Sequence, residues 1–199
     1  MMNIMRNAKH AVRTAAKEAS HERIVSAAAR AIRRSGYEGT GVAEIMKEAG
    51  LTHGAFYAHF ASREAMLAEA AARACIDSAS IAANAVARVP PEQALTYILH
   101  AYLSRENLAQ VELGCPLVAL GSETVRQTPE VRRVTTRYIK EMVDLVARQL
   151  PDWGQGGVHE RALVTVATMV GTLLLARVVD EPALSDSLRE AALKHLPIA

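Results

Sequence analysis

The stretch Gly36-Tyr37-Glu38-Gly39-Thr40-Gly41-Val42-Ala43-Glu44-Ile45, continued by Ala49-Gly50-Leu51-Thr52-His53-Gly54-Ala55-Phe56-Tyr57-Ala58-His59-Phe60-Ala61-Ser62-Arg63-Glu64, decides the fold. Upstream of it, Ile24, Val25, Ala28, Ala29 and Ile32 recur at helical spacing, Ser20 reads as their N-cap, and Gly36 supplies the left-handed stop of a helix over 20–35. Thr40 then caps a short helix over 42–49, with Val42, Ile45 and Met46 inward. Gly50 breaks it, Leu51 anchors the turn, and Thr52 caps a third, very short helix that reaches His59 or Phe60. Ser62 restarts the chain as a helix over 62–87. Two short helices around a glycine turn cross steeply, which leaves the second free to enter a DNA major groove while the first long helix packs behind both.

Outward from this unit the pattern stays helical. Pro90-Pro91 ends one helix and starts the next, over 91–103; a mixed connector covers 105–114; Pro116 and Pro129 sit at first-turn positions of helices over 116–127 and 129–150. Val131, Val134, Tyr138, Met142, Leu145 and Val146 fall on one side of the latter. A glycine-rich loop over 151–157 precedes helices over 158–179 and 182–196, giving about nine in an all-α chain. Half of the 199 residues are hydrophobic, 22% are charged and 4% aromatic, which supports a sizeable core and disfavours disorder or a β-sandwich.

The net charge of +2 is unevenly spread. Residues 1–65 hold ten Lys/Arg against six Asp/Glu, and residues 66–199 hold thirteen against fifteen, so the front of the molecule is the basic end expected of a nucleic-acid binder. Arg6, Lys9, Arg13 and Lys17 form a basic N-terminal arm over 1–19 that reads as a solvated tail first and a minor-groove arm second, with no apolar signal segment. Cys75 and Cys115 lack ligand spacing, so no disulfide framework, metal site or cofactor is expected and a reducing cytoplasm is the default. The longest uncharged apolar run, 162–176, is shorter than the ~20 residues of a membrane span.

The first 65 residues resemble the TetR family of bacterial transcriptional regulators. The likeness covers about 20–67: the aromatic Tyr37 after Gly36, the Thr40-x-Val42 step, the Ala49-Gly50-Leu51 turn, the Tyr57-x-His59-Phe60 signature and the Ser62-Arg63-Glu64 helix start. It implies an N-terminal three-helix DNA-binding unit over 20–65, followed by a larger effector-binding and dimerisation domain over 66–199. The implied function is a ligand-responsive repressor that binds a palindromic operator as a homodimer. Thr40, Thr52, Tyr57 and His59 carry compact donors for phosphate oxygens, and Arg63 stands at a helix N-terminus where a phosphate is favoured. His53, Gly54 and Ala55 occupy the tip that, in the family, lies nearest the bases; no Arg, Lys, Asn or Gln is present there for bidentate readout. Phe56, Phe60 and Tyr37 read as core anchors.

A reader of one half-site needs a symmetric partner. Leu163, Val166, Ala167, Val170, Gly171, Leu174 and Val178, with Leu184, Leu188 and Leu196 of the last helix, form a broad apolar stripe, and the resemblance implies a four-helix bundle between two subunits there. The central helices are expected to enclose an apolar effector cavity lined by Tyr97, His100, Tyr102, Cys115, Tyr138, Met142, Thr168, Met169 and Thr172. Cys115 precedes a helix that starts at Pro116, a position whose free N–H groups favour a thiolate; the entry resembles one in TetR-family members, including a branch responsive to electrophiles, while a small buried residue at a tight turn is the plainer reading. No phosphate loop, nucleophile elbow, zinc-protease motif or carboxylate pair marks a catalytic residue. The alternative reading is a helical protein-interaction module or small all-α enzyme without DNA binding.

Overall fold

The computed structural model describes residues 2–196, with side chains from residue 12 onward. Among the described residues there are nine α-helices, one 3-10 helix and no strand. α1 (Met2–Ser35), α2 (Val42–Glu48), the 3-10 helix (His53–Ala58) and the start of α3 (Arg63–Val86) build a head. The body follows: α4 (Pro91–Tyr102), α5 (Arg105–Ala109), α6 (Pro116–Thr124), α7 (Pro129–Ala147), α8 (Val158–Val178) and α9 (Pro182–His195).

Local chemistry explains most of the boundaries. Proline at the first helical position opens α4, α6, α7 and α9, where its missing N–H has no partner to lose. Ser62 Oγ accepts from the Ala65 N–H at 3.1 Å and caps α3. The expected start at Ser20 is overturned: α1 begins at Met2. No glycine or proline interrupts 2–35, and the Ser20 hydroxyl donates back to Ala16 O at 2.9 Å, as a mid-helix serine does, instead of capping. The connector over 105–114 holds α5, capped by Ser104 Oγ, which accepts from the Asn107 N–H at 3.1 Å. The third helix of the head is 3-10 in geometry; its six residues contain Gly54, and Thr52 makes no side-chain cap bond.

Two cores share α3. The head core joins Ile24, Ile32, Tyr37, Ile45, Phe56 and Phe60, and it also takes in Leu120 of α6 and Val131 of α7. The body core is built from Leu99, Leu103, Val143, Val146, Met169 and Leu173 among others. α3 runs across residue 65, and Leu120 and Val131 carry the head core onto α6 and α7 of the body. α8 is long and apolar enough to cross a membrane, with a mean hydropathy of 1.5 over its most apolar window. Its inner face, including Ala162, Val166, Met169 and Leu173, lies in the body core.

Candidate functional site

The head is fastened so that one edge of the 3-10 helix stays open. Phe56 and Phe60 are buried and stacked with ring centroids 5.5 Å apart, which at about 1.5–3 kcal/mol for each buried side chain sets the element's inner side. α2 is tied to α1 by Arg30, whose Nη2 is 2.7 Å from Glu48 Oε1, and by Arg23, which donates to Ala49 O at 3.2 Å. Gly50, in the left-handed region at φ 72°, turns the chain between α2 and the 3-10 helix. Thr52, His53 and Gly54 are exposed, and Tyr57 is 74% exposed with its phenol directed away from the core. Lys47, not singled out from the sequence, is exposed at the end of α2 without an ion-pair partner among the described residues.

Other residues assigned to DNA are placed elsewhere. Thr40 is buried, and its hydroxyl donates to Gly36 O at 2.6 Å, so it closes the α1–α2 turn and offers no donor to a phosphate. Arg63 folds inward: its Nη2 donates to Tyr37 O and, at 3.2 Å, to Thr40 O. The short α1–α2 turn leaves carbonyls unpaired, and a guanidinium satisfies two of them at once. His59 is half-buried, its ring 5.9 Å from that of His21, and burial together with the His21 and Lys17 charges holds it below the ordinary imidazole range. Ala55 is half-buried on the head core, so its methyl faces inward.

Head and body are joined by polar contacts that sequence spacing does not reveal. Gly36 sits at φ 75°, and the Glu123 carboxylate lies against it, where a Cβ would be 2.4 Å from Oε1. Arg33 is buried and donates to Ala29 O at 3.0 Å and Gly114 O at 3.5 Å. Arg34 reaches Glu112 at 2.9 Å. Burial pushes the Tyr37 phenol up to about 12 despite a hydrogen bond with Thr124 at the end of α6.

In the body, a cavity of about 430 Å³ opens between α3, α4, α7 and α8. Of the residues expected to line it, Tyr102, Cys115, Tyr138, Met142 and Met169 do. Tyr97 and His100 do not: α4 buries Ala94, Leu95, Ile98 and Leu99, which turns those two to solvent. Thr168 lines a shallow groove between α8 and α9, and Thr172 is half-buried outside the cavity wall. Sequence reading missed the α3 wall of Ser78, Ala79 and Ala82, because small residues in an alanine-rich helix read as plain packing. One end is polar: Ser78 Oγ and Tyr138 Oη are 2.8 Å apart, and Cys115 Sγ is 3.7 Å from Tyr138 Oη. Burial holds the phenols of Tyr138 and Tyr102 well above their usual range, so both stay protonated. No Lys, Arg or His lines the cavity among the described residues, whereas Glu106 and Glu141 do.

On the outer side of α8, Leu163, Leu174 and Val178 are exposed, together with Val164 and Leu175, and Ala167 and Gly171 lie between them. Val170 and Leu188 are half-buried, and Leu184 is exposed on α9. Val166 and Leu196 belong to the body core and not to this stripe.

A helix-turn-helix head with an exposed edge, set on a helical body with an apolar cavity, is the architecture of a DNA-binding transcriptional regulator. Residues 24–70 match the family described as bacterial regulatory proteins, tetR family. The HTH-type transcriptional regulator LmrA of Bacillus subtilis (strain 168) is 27% identical over 161 residues, covering 79% of this chain and 86% of that protein. Among solved structures, NemR of E. coli in its reduced form superposes with a TM-score of 0.73 at 20% identity over 89% of this chain and 95% of NemR. A TetR-family regulator from Agrobacterium tumefaciens gives 0.75 at 18% identity, over 90% and 98% of the two chains. The head thus carries the DNA-binding unit of the tetR family, and the chain as a whole shares the fold of the TetR-family structures.

Proposed function

We propose that the protein is a cytoplasmic repressor that binds a palindromic operator as a homodimer and leaves it when a small apolar effector occupies the body cavity. The observation that carries this reading is the 3-10 helix, held from behind by Phe56 and Phe60 while Thr52, His53, Gly54 and Tyr57 remain open on its other edge. Thr52 and Tyr57 supply phosphate donors, and His53 with Gly54 approaches base edges. The head over 20–65 does the reading; the domain over 66–199 supplies the cavity and, through the outer stripe of α8 with α9, the dimer. No Lys, Arg or His lines the cavity while Glu106 and Glu141 do, so a neutral effector is favoured there over an anion.

Effector occupancy reaches the head through α6. Its first residue follows Cys115 on the cavity wall, and its far end carries Glu123 and Thr124 against Tyr37. An effector acts only by its differential affinity for the dimer whose heads are misplaced for successive major grooves. Full-length protein is mixed with fragmented genomic DNA, and the retained fragments are sequenced. Palindromic sites with half-sites about one helical turn or more apart are expected; retention without sequence enrichment, or none, overturns the reading.

A further inference from the structure

Among the residues whose side chains are described, those of α1 that belong to the head core begin at Ile24. α1 ends on the body, where Arg33 reaches Gly114 O and the next turn meets Glu123, so its N-terminal end points away from the body. The residues from Val12 to Ala19 are all exposed, and eighteen residues ahead of Ser20 extend the helix by about 27 Å at 1.5 Å per residue. In the sequence Arg6, Lys9, Arg13 and Lys17 are spaced by three and four, which puts them on one face of a helix, and His21 and Ile24 continue that face. Ile24 is in the head core and His21 stacks on Phe60, with ring centroids 4.6 Å apart. The face that carries Arg13 and Lys17 is therefore turned to the side on which the 3-10 helix lies. The Lys17 charge depresses His59, which immediately follows that helix, so the basic stripe begins where the exposed edge ends. Arg6 and Lys9 have side chains outside the described residues; Arg13 and Lys17 are exposed.

We propose that the N-terminal half of α1 is a second DNA-contacting element, a basic helix that takes backbone phosphates flanking the half-site held by the 3-10 helix. This inference rests on the DNA-binding reading. Four cations against the single acid Glu18 over 1–19 repel a second copy of the same helix and suit a polyanion, and their continuity with the exposed edge of the head selects the duplex already bound there. Contacts of this kind add affinity that depends on salt and not on sequence.

The test uses full-length protein and the double variant Arg13→Ala/Lys17→Ala, with fluorescence anisotropy on a labelled random 40-bp duplex across a KCl series. Each phosphate that is no longer neutralised flattens the plot of log affinity against log salt by about 0.9, so a dimer without these two cations in either protomer should show a slope shallower by up to about 3.6. Thermal stability should stay unchanged, because both side chains are exposed, and Arg13→Lys/Lys17→Arg should keep the wild-type slope. A double-alanine slope equal to wild type overturns the proposal while the DNA-binding reading stands. No binding by the wild type at low salt overturns both.

Discussion

Tyr37 and Glu123 stand 86 positions apart in sequence, yet the backbone N–H of Tyr37 donates to Glu123 Oε2 at 2.9 Å and closes the turn after α1 with a carboxylate from α6. The head is thus registered on the body by a bond to main chain, insensitive to the identity of the residue at 37.

Replacing Glu123 by Ala leaves that N–H without its acceptor and should cost about 1–3 kcal/mol in urea-induced unfolding. The same variant should blunt the change in DNA affinity caused by an effector. Wild-type stability and a full effector response together would show that α6 does not register the head. Gly36→Ala should destabilise even beside Glu123→Ala, because the left-handed backbone at φ 75° strains any Cβ whatever the space around it.

Arg63 and Tyr57 should separate cleanly. Arg63→Ala removes charged hydrogen bonds to Tyr37 O and Thr40 O, so the head should melt earlier, with a loss of about 1–2 kcal/mol after allowance for its partial exposure. Tyr57→Phe should leave melting alone and weaken binding to every duplex alike, by roughly fivefold for the hydrogen bond removed in each protomer. Changes at His53 should alter sequence preference instead. A Tyr57→Phe protein with unchanged affinity for all DNA would remove the phenol from the interface.

Leu174→Glu places a charge in the exposed stripe of α8, where the side chain is 42% accessible in the protomer. Sedimentation should show monomers and weaker operator binding, with the helical circular-dichroism signal retained. Val166→Glu, by contrast, should unfold the body, since Val166 is buried. A soluble wild-type monomer at micromolar concentration would rule out the stripe as a dimer interface.

The two thiols should behave differently. Burial pushes Cys75 up to about 12, so its thiolate is scarce and alkylation at pH 8 should be negligible in the folded protein. Cys115 lies on the cavity wall, and a covalent route through it predicts that Cys115→Ser loses the response of DNA binding to thiol reagents. A cavity-occupancy route predicts that the variant keeps its response to apolar compounds. Mass spectrometry of the modified residue checks which thiol reacted.

Ligand charge supplies a further test. 1-Naphthol should raise the melting temperature and 1-naphthoate should not, since no lining cation meets the carboxylate. Equal stabilisation by both would place the binding site elsewhere.

The head was legible because its constraints are local: a glycine stop, a capping serine and aromatic anchors act within a few residues. What could not be read was the direction of single side chains. Thr40 and Arg63 are the residue types that bind phosphate, but a carbonyl-rich turn within reach competes for the same donors, and that turn becomes visible only in three dimensions. The cavity was half legible for a related reason. Tyr102 and Tyr138 announce themselves, whereas Ser78 and Ala82 line it by leaving room, and Tyr97 misleads because helix phase in α4 is ambiguous over twelve residues. Ser20 failed as a boundary because a serine bonds equally well to the turn behind it.

The outer face of α8, with Leu174, Leu175 and Val178 uncovered in the protomer, also makes abundance a control variable. In the proposed dimer, operator occupancy needs two chains and rises with the square of subunit concentration wherever dimers are scarce. Dilution alone should lower the melting temperature by mass action. For the proposed repressor, halving the supply of this chain in that range should therefore cost more than half of the repression, and basal expression should respond to gene dosage before any effector arrives.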